Sequence, residues 1–191
     1  MKRVILLSIF LYLSFVTVLA QQVPAVHPES GPWVNVAPVE SGFTILMPAK
    51  PSEKSDPVEG HPGMENHLIT LETKLAGYVV SYVQFPDEVR DPAQIKLMLD
   101  RGREGGVKSS AGELKSETEI KLKGYFGREW TMKLPGEALA TARAYWVKSR
   151  LYQIVFVVAP DAKDTPEVIK LREQAANKFL ESFTLSDNVS K

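Results

Sequence analysis

The sequence predicts an α+β domain in which a mainly antiparallel sheet of about six to eight strands is sandwiched between two helices (α/β/α). Three observations predict it. The strands come as hairpins joined by short turns, the clearest being Leu139–Val147 followed by residues 150–159. Two of them, residues 78–85 and 151–158, are apolar on both faces, so the sheet needs cover on both sides. Asp91-Pro92 and Thr165-Pro166 each set a capping residue before a proline at the first helical position, and one helix per face is the simplest cover.

Taken in order, residues 1–20 open with Lys2 and Arg3 and continue through an apolar run from Val4 to Leu19 that closes on Ala20. These are the parts of a secretory signal peptide, with cleavage expected near Ala20 and Gln21 as the new N-terminus. The other reading is an uncleaved membrane anchor, because the run approaches the ~17–25 residues that a span needs. Ser8, Ser14 and Thr17 inside the run favour cleavage. Residues 21–32 contain Pro24, Pro28 and Pro32 without any period and read as a flexible lead-in. A single domain is expected over 33–185, and 186–191 as a loose tail.

Within the domain, strands are expected over 33–37 and 43–47, the second closed by Pro48. Residues 48–63, with Pro48, Pro51, Pro57, Pro62 and mixed charges, read as a loop. His67, Ile69, Leu71, Thr73 and Leu75 share one face of a strand that turns at Ala76-Gly77. In the return strand Val79, Val83 and Phe85 lie on one side, with Tyr78, Val80 and Tyr82 on the other. A helix capped by Asp91 carries Ile95, Met98 and Leu99 at helical spacing and is expected to stop at Gly105-Gly106. Next, Leu114, Ser116, Thr118, Ile120 and Leu122 alternate with Lys115, Glu117, Glu119, Lys121 and Lys123, a half-exposed strand with a charged outer face. After Gly124 comes a strand with Arg128, Trp130, Met132 and Leu134 on one face, then a turn at Pro135-Gly136. The strand over 151–158 should be central. Asp164 or Thr165 caps the last helix, whose buried stripe is Val168, Leu171, Ala175, Phe179 and Phe183.

Composition excludes several chemistries. The chain has no cysteine, so it has no disulfide, thiolate metal site, cysteine nucleophile or lipid-modified cysteine. Basic and acidic residues balance at 23 each, which gives no reason to expect nucleic acid. A membrane is expected only through the first segment, if that is kept.

Candidate reactive groups are few. His61 and His67, with Asp56, Glu59 and Glu65 nearby in sequence, are the weak candidates for a metal site; helical or His-x-His ligand spacing is missing, so no metal and no cofactor is expected. His27 lies in the lead-in. Gly-x-Ser-x-Gly does not occur, and Ser109, Ser110 and Ser149 fall in turns, so no catalytic serine is expected. Glu117 and Glu119 could form an acid/base pair, but interleaved lysines read as ion pairing. Asp87, Glu88 and Asp91 lack the pattern of a calcium loop. Residues 102–106 are glycine-rich but follow a helix, whereas a phosphate cradle precedes one. Arg128 and Glu129 point to opposite faces, and one or both are expected in cross-strand pairs. Trp33, Trp130, Tyr145, Trp146 and Tyr152 are the candidates for a binding surface, although aromatic strand residues more often build a core.

Two stretches resemble PsbP-like domains. Gly42-Phe43-Thr44-Ile45-Leu46-Met47-Pro48 is similar to their early Gly-Phe-x-aliphatic-x-x-Pro strand. Residues 151–158, followed by Phe179-Leu180-Glu181-Ser182-Phe183, resemble their final hairpin strand and the "Ser-Phe" end of the closing helix. The resemblance implies an antiparallel sheet between helices and a binding or assembly factor, as in the lumenal photosystem II subunit and a nuclear relative that binds a small GTPase. It supplies no ligand residue, and the proline-rich stretch 48–63 departs from it. The first expectation is therefore an exported, non-catalytic domain that binds an envelope or extracellular protein. A carrier of a small ligand or metal, with a pocket between sheet and helix, is the second, and a hydrolase with an unfamiliar site the third.

Overall fold

The computed structural model describes residues 27–186; the expected signal segment, its cleavage site and most of the tail lie outside the described residues. Ten strands and two helices follow in the order β1 (Val34–Val36), β2 (Phe43–Met47), β3 (Ser52–Pro57), β4 (Glu65–Glu72), β5 (Gly77–Gln84), α1 (Pro92–Ser109), β6 (Glu113–Leu122), β7 (Tyr125–Lys133), β8 (Leu139–Val147), β9 (Arg150–Val158), α2 (Pro166–Glu181) and β10 (Thr184–Leu185). Seven strands form one antiparallel sheet in the order β3-β4-β5-β9-β8-β7-β6; β1, β2 and β10 form a second, smaller sheet with β2 in the middle.

The sandwich follows from the alternation in β5 and β9. Tyr78, Val80, Tyr82, Tyr152, Ile154 and Phe156 project to one face, where Phe179 and Leu180 of α2 and Phe43, Ile45 and Met47 of β2 cover them. Val79, Val83, Leu151, Val155 and Val157 project to the other face, where Ile95 and Leu99 of α1 and Trp130 and Trp146 pack. One helix per face holds as expected, and β9 is the fourth strand of seven. The small sheet is an unexpected second cover on the α2 face; β10 follows α2 directly and docks on β2, with Thr184 opposite Thr44.

Local signals behave as chain chemistry dictates. Asp91 accepts a hydrogen bond from the Ala93 N–H at 3.1 Å, and Thr165 accepts one from Val168 at 3.4 Å, so both helices begin at a capping side chain followed by proline. Lys123 and Gly124 both have positive φ, which is the backbone that a two-residue hairpin turn requires.

Four expectations are corrected. Residues 48–63 are not all loop: β3 pairs with β4 along its whole length. All six of its side chains are exposed, so it carries no apolar period. Helix α1 does not stop at Gly105-Gly106 but runs to Ser109 and ends in a Schellman arrangement, with Gly112 N–H donating to Val107 C=O and Ala111 N–H to Lys108 C=O. The alternation in β6 breaks at a bulge between Leu114 and Ser116; Glu117 and Glu119 lie on the α1 face, still exposed, and pair with Arg103 and Lys96. Residues 27–32 are not loose. Pro28–Ser30 forms a 3-10 turn, and Glu29 is buried beneath it, accepting hydrogen bonds from the hydroxyls of Tyr78 (3.1 Å) and Thr73.

Candidate functional site

One row of side chains crosses the large sheet on its α2 face. The register places Ser55 opposite His67, His67 opposite Tyr82, Tyr82 opposite Tyr152, Tyr152 opposite Tyr145, and Tyr145 opposite Gly127. Most of the row is sealed. Phe43 of β2 sets its ring edge-on to Tyr82 (6.0 Å) and Tyr152 (5.8 Å), and Phe183 stacks parallel to Tyr145 at 5.9 Å. Burial holds the Tyr82, Tyr145 and Tyr152 hydroxyls above the usual phenol range; at Tyr82 the Arg150 guanidinium works against that shift.

At its β3 end the row emerges into a groove of about 250 Å³, lined by Pro38, Glu53, Lys54, Ser55, His67, Leu68, Ile69 and Tyr82. The His67 imidazole lies flat on Tyr82, with centroids 4.5 Å apart and an interplanar angle of 11°. From the strand on the other side of β5, the Arg150 guanidinium lies 5.4 Å from the same ring. Ser55 Oγ and His67 Nδ1 share a hydrogen bond of 2.7 Å, and Glu65 Oε2 stands 3.9 Å from His67 Nε2.

The groove wall is positioned by a second set of contacts. Arg150 donates to the carbonyls of Glu40 (2.9 Å) and Ser41 (2.6 Å), and the Tyr152 hydroxyl donates to Ser41 C=O at 2.8 Å. These bonds fix the turn between β1 and β2, in which Glu40 and Gly42 have positive φ, and so hold Pro38 over the groove.

No family model and no curated protein matches this chain. Among solved structures it is similar to the solution structure of cyanobacterial PsbP from Synechocystis, at 16% identity and a TM-score of 0.52 over 87% of this chain and 97% of that one. The fold is PsbP-like. It also aligns, at 13% identity and a TM-score of 0.42 over 78% of this chain and 96% of that one, with a Pseudomonas aeruginosa protein of unknown function.

In this PsbP-like domain the aromatic candidates fall inside. Trp130, Tyr145, Trp146 and Tyr152 are core residues, so they make no binding surface; strands apolar on both faces are covered on both faces. Trp33 is partly buried, edge-on to Tyr78, with the Lys178 ammonium 4.6 Å from its ring. His61 sits in the turn between β3 and β4, apart from the row that His67 joins, and no three His, Asp or Glu groups converge among the described residues. Glu117 and Glu119 are ion-pair partners of α1; the Lys96 ammonium beside Glu119 holds its carboxyl below the usual range. Glu88 pairs with Arg90 at 2.8 Å, and Asp91 is a cap. Ser110 donates to the Gly106 carbonyl at 2.9 Å, and Ser149 accepts from Gln84 at 2.7 Å, so both hydroxyls serve turns. Arg128 and Glu129 do make the cross-strand pairs expected of them, with Glu119 (3.4 Å) and Arg143 (2.5 Å). Ser55 was not singled out from sequence; its neighbour His67 is opposite it only because of the β3–β4 register.

Proposed function

We propose that this PsbP-like domain is exported and non-catalytic, and that it binds a partner protein that seats a side chain in the Ser55–His67 groove. The observation that carries this is the groove itself, where the row ends in the half-exposed His67 and a flat imidazole-on-phenol floor meets exposed groups of both charge signs, Glu53 and Lys54. Its size favours a partner over a carrier. Small-molecule pockets run to about 300–1,000 Å³, whereas about 250 Å³ open to solvent suits one protruding side chain. Export is supported by Lys2, Arg3 and the apolar run that ends at Ala20. The test is affinity capture from an envelope extract, with identification by mass spectrometry. A partner retained by the wild type and by Thr118→Lys on the opposite edge, but lost with His67→Ala, supports the reading. Capture that is indifferent to His67→Ala contradicts it.

A second reading, a hydrolase, rests on the hydrogen bond between Ser55 and His67. It needs an acid to orient the imidazole, and Glu65 at 3.9 Å is outside hydrogen-bond reach. Covalent labelling of Ser55 by a fluorophosphonate decides for this reading; an unlabelled Ser55 decides against it.

A further inference from the structure

The two edges of the large sheet differ. β6 is broken by its bulge, and its Glu117 and Glu119 are tied to α1. Bulges and inward-directed charges are devices that blunt an edge. β3 carries Lys54 and Pro57, residues that also guard edges, but it has no bulge, an unbroken register with β4, and every one of its side chains exposed.

The hydrogen-bond phase of β3 follows from one contact. Val58 N–H donates to Met64 C=O at 2.9 Å, in the same register as the Pro57–Glu65 pair. Antiparallel ladders alternate bonded and non-bonded pairs. Asp56, Lys54 and Ser52 therefore direct their backbone groups to β4, while Glu53, Ser55 and Pro57 direct theirs outward. Proline, which has no N–H, falls where no bond to β4 is lost.

We infer that this edge pairs with the β3 edge of a second copy of the chain, antiparallel, with Ser55 on the twofold axis. The sequence is self-complementary in that register and not in its neighbours. Lys54 then lies opposite the partner copy's Asp56, and Asp56 opposite its Lys54. A shift by one residue sets Glu53 against Asp56, and a shift by two sets Lys54 against Lys54. The phase agrees. Ser55 exchanges two backbone bonds with its symmetry mate, and each Glu53 N–H meets a Pro57 carbonyl, while each Glu53 carbonyl goes without a donor because Pro57 has no N–H. The Lys54–Asp56 pair falls at a non-bonded position, where facing side chains approach most closely. Within one chain the two charges already lie 2.7 Å apart, so pairing makes a four-charge cluster. With six residues a side, against the ~20–30 a side of a stable interface, the association is weak, and its detection calls for a chemical trap. This inference stands apart from the partner-binding reading, which fails on His67→Ala capture alone.

The chain has no cysteine, so a disulfide trap is clean. Paired residues at a bonded antiparallel position have Cα atoms ~5.5 Å apart, within disulfide reach. The purified Ser55→Cys protein is expected to oxidise to a covalent dimer at least about tenfold faster than Thr118→Cys on the β6 edge. Adding Lys54→Glu, or adding Asp56→Lys, is expected to slow it about three- to tenfold, because each puts like charges opposite at two positions. Mixing the two doubly substituted proteins restores attraction at both positions and is expected to give the mixed dimer at the original rate. Equal rates for Ser55→Cys and Thr118→Cys, or a mixture no faster than either variant alone, would overturn the inference.

Discussion

The Tyr145 ring lies directly over Gly127 on the neighbouring strand, so close that a Cβ at residue 127 would stand 2.5 Å from Tyr145 Cδ1 and 2.7 Å from the Ala144 carbonyl oxygen. Phe183 stacks on Tyr145, which leaves the ring nowhere to retreat. Gly127→Ala is therefore expected to destabilise the domain by about 1–3 kcal/mol, as overpacking of a closed core does. Urea unfolding checks this: the midpoint falls while the slope stays unchanged. A midpoint within error of the wild type would mean that the ring is not held where the stack puts it.

Helix α1 has its glycines in the wrong places for stability. Gly102 and Gly106 lie inside it with open space where a Cβ would go, while Ala111 takes the left-handed conformation (φ 51°) that closes the helix. Interior helical glycine costs about 0.5–1 kcal/mol relative to alanine. Gly102→Ala and Gly106→Ala are each expected to raise the melting temperature, and so is Ala111→Gly, which removes about 1 kcal/mol of strain at the cap. Calorimetry on the three single variants checks the signs.

Alkaline pH should unfold the protein through its tyrosines. Burial holds Tyr78, Tyr82, Tyr145 and Tyr152 protonated above the usual phenol range. An unfolded tyrosine ionises near ~10, so above that pH the unfolded chain binds fewer protons than the native one. Stability is complete below about pH 10 and falls as pH rises beyond it. Absorbance of tyrosinate near 295 nm is expected to rise for these four only together with loss of β-sheet circular dichroism. A smooth rise with the sheet intact would show that the row is open to solvent.

Acid acts at the other end of the sheet. The Asp164 carboxylate accepts from the Asp161 N–H at 2.8 Å and pairs with Arg172, and both hold its pKa below the usual range. Its contribution is present above the unfolded value of about 3.9 and is lost as pH falls through the lower, folded value. The stability difference between wild type and Asp164→Asn is expected to be constant at neutral pH and to vanish in strong acid.

Much of the fold was legible because burial writes itself into composition. β9 is apolar at nearly every position, so its central, doubly covered place could be read directly, and the opposite directions of Arg128 and Glu129 followed from strand alternation. β3 was not legible for the reverse reason. An edge strand exposed on all its side chains has no apolar period, and Pro51 and Pro57 look like loop signals when they only mark its limits. The end of α1 is hidden in the sequence because glycine pairs usually stop helices, whereas Val107 packs on the α1-side core and holds another turn in place. The groove depends on β3, so Ser55 and its contact with His67 are out of reach of the sequence, and the aromatic residues of β7, β8 and β9 that look like a surface are core.

Amide hydrogen exchange on dilute protein tests most directly whether this sheet is sealed at β9 and open at β3. The β9 and β5 amides are expected to exchange slowest. In β3, the Glu53 and Ser55 amides should exchange near the unprotected rate, with the Lys54 and Asp56 amides slower between them. Protection of Glu53 and Ser55 equal to that of β9, or rapid exchange along β9, would contradict it.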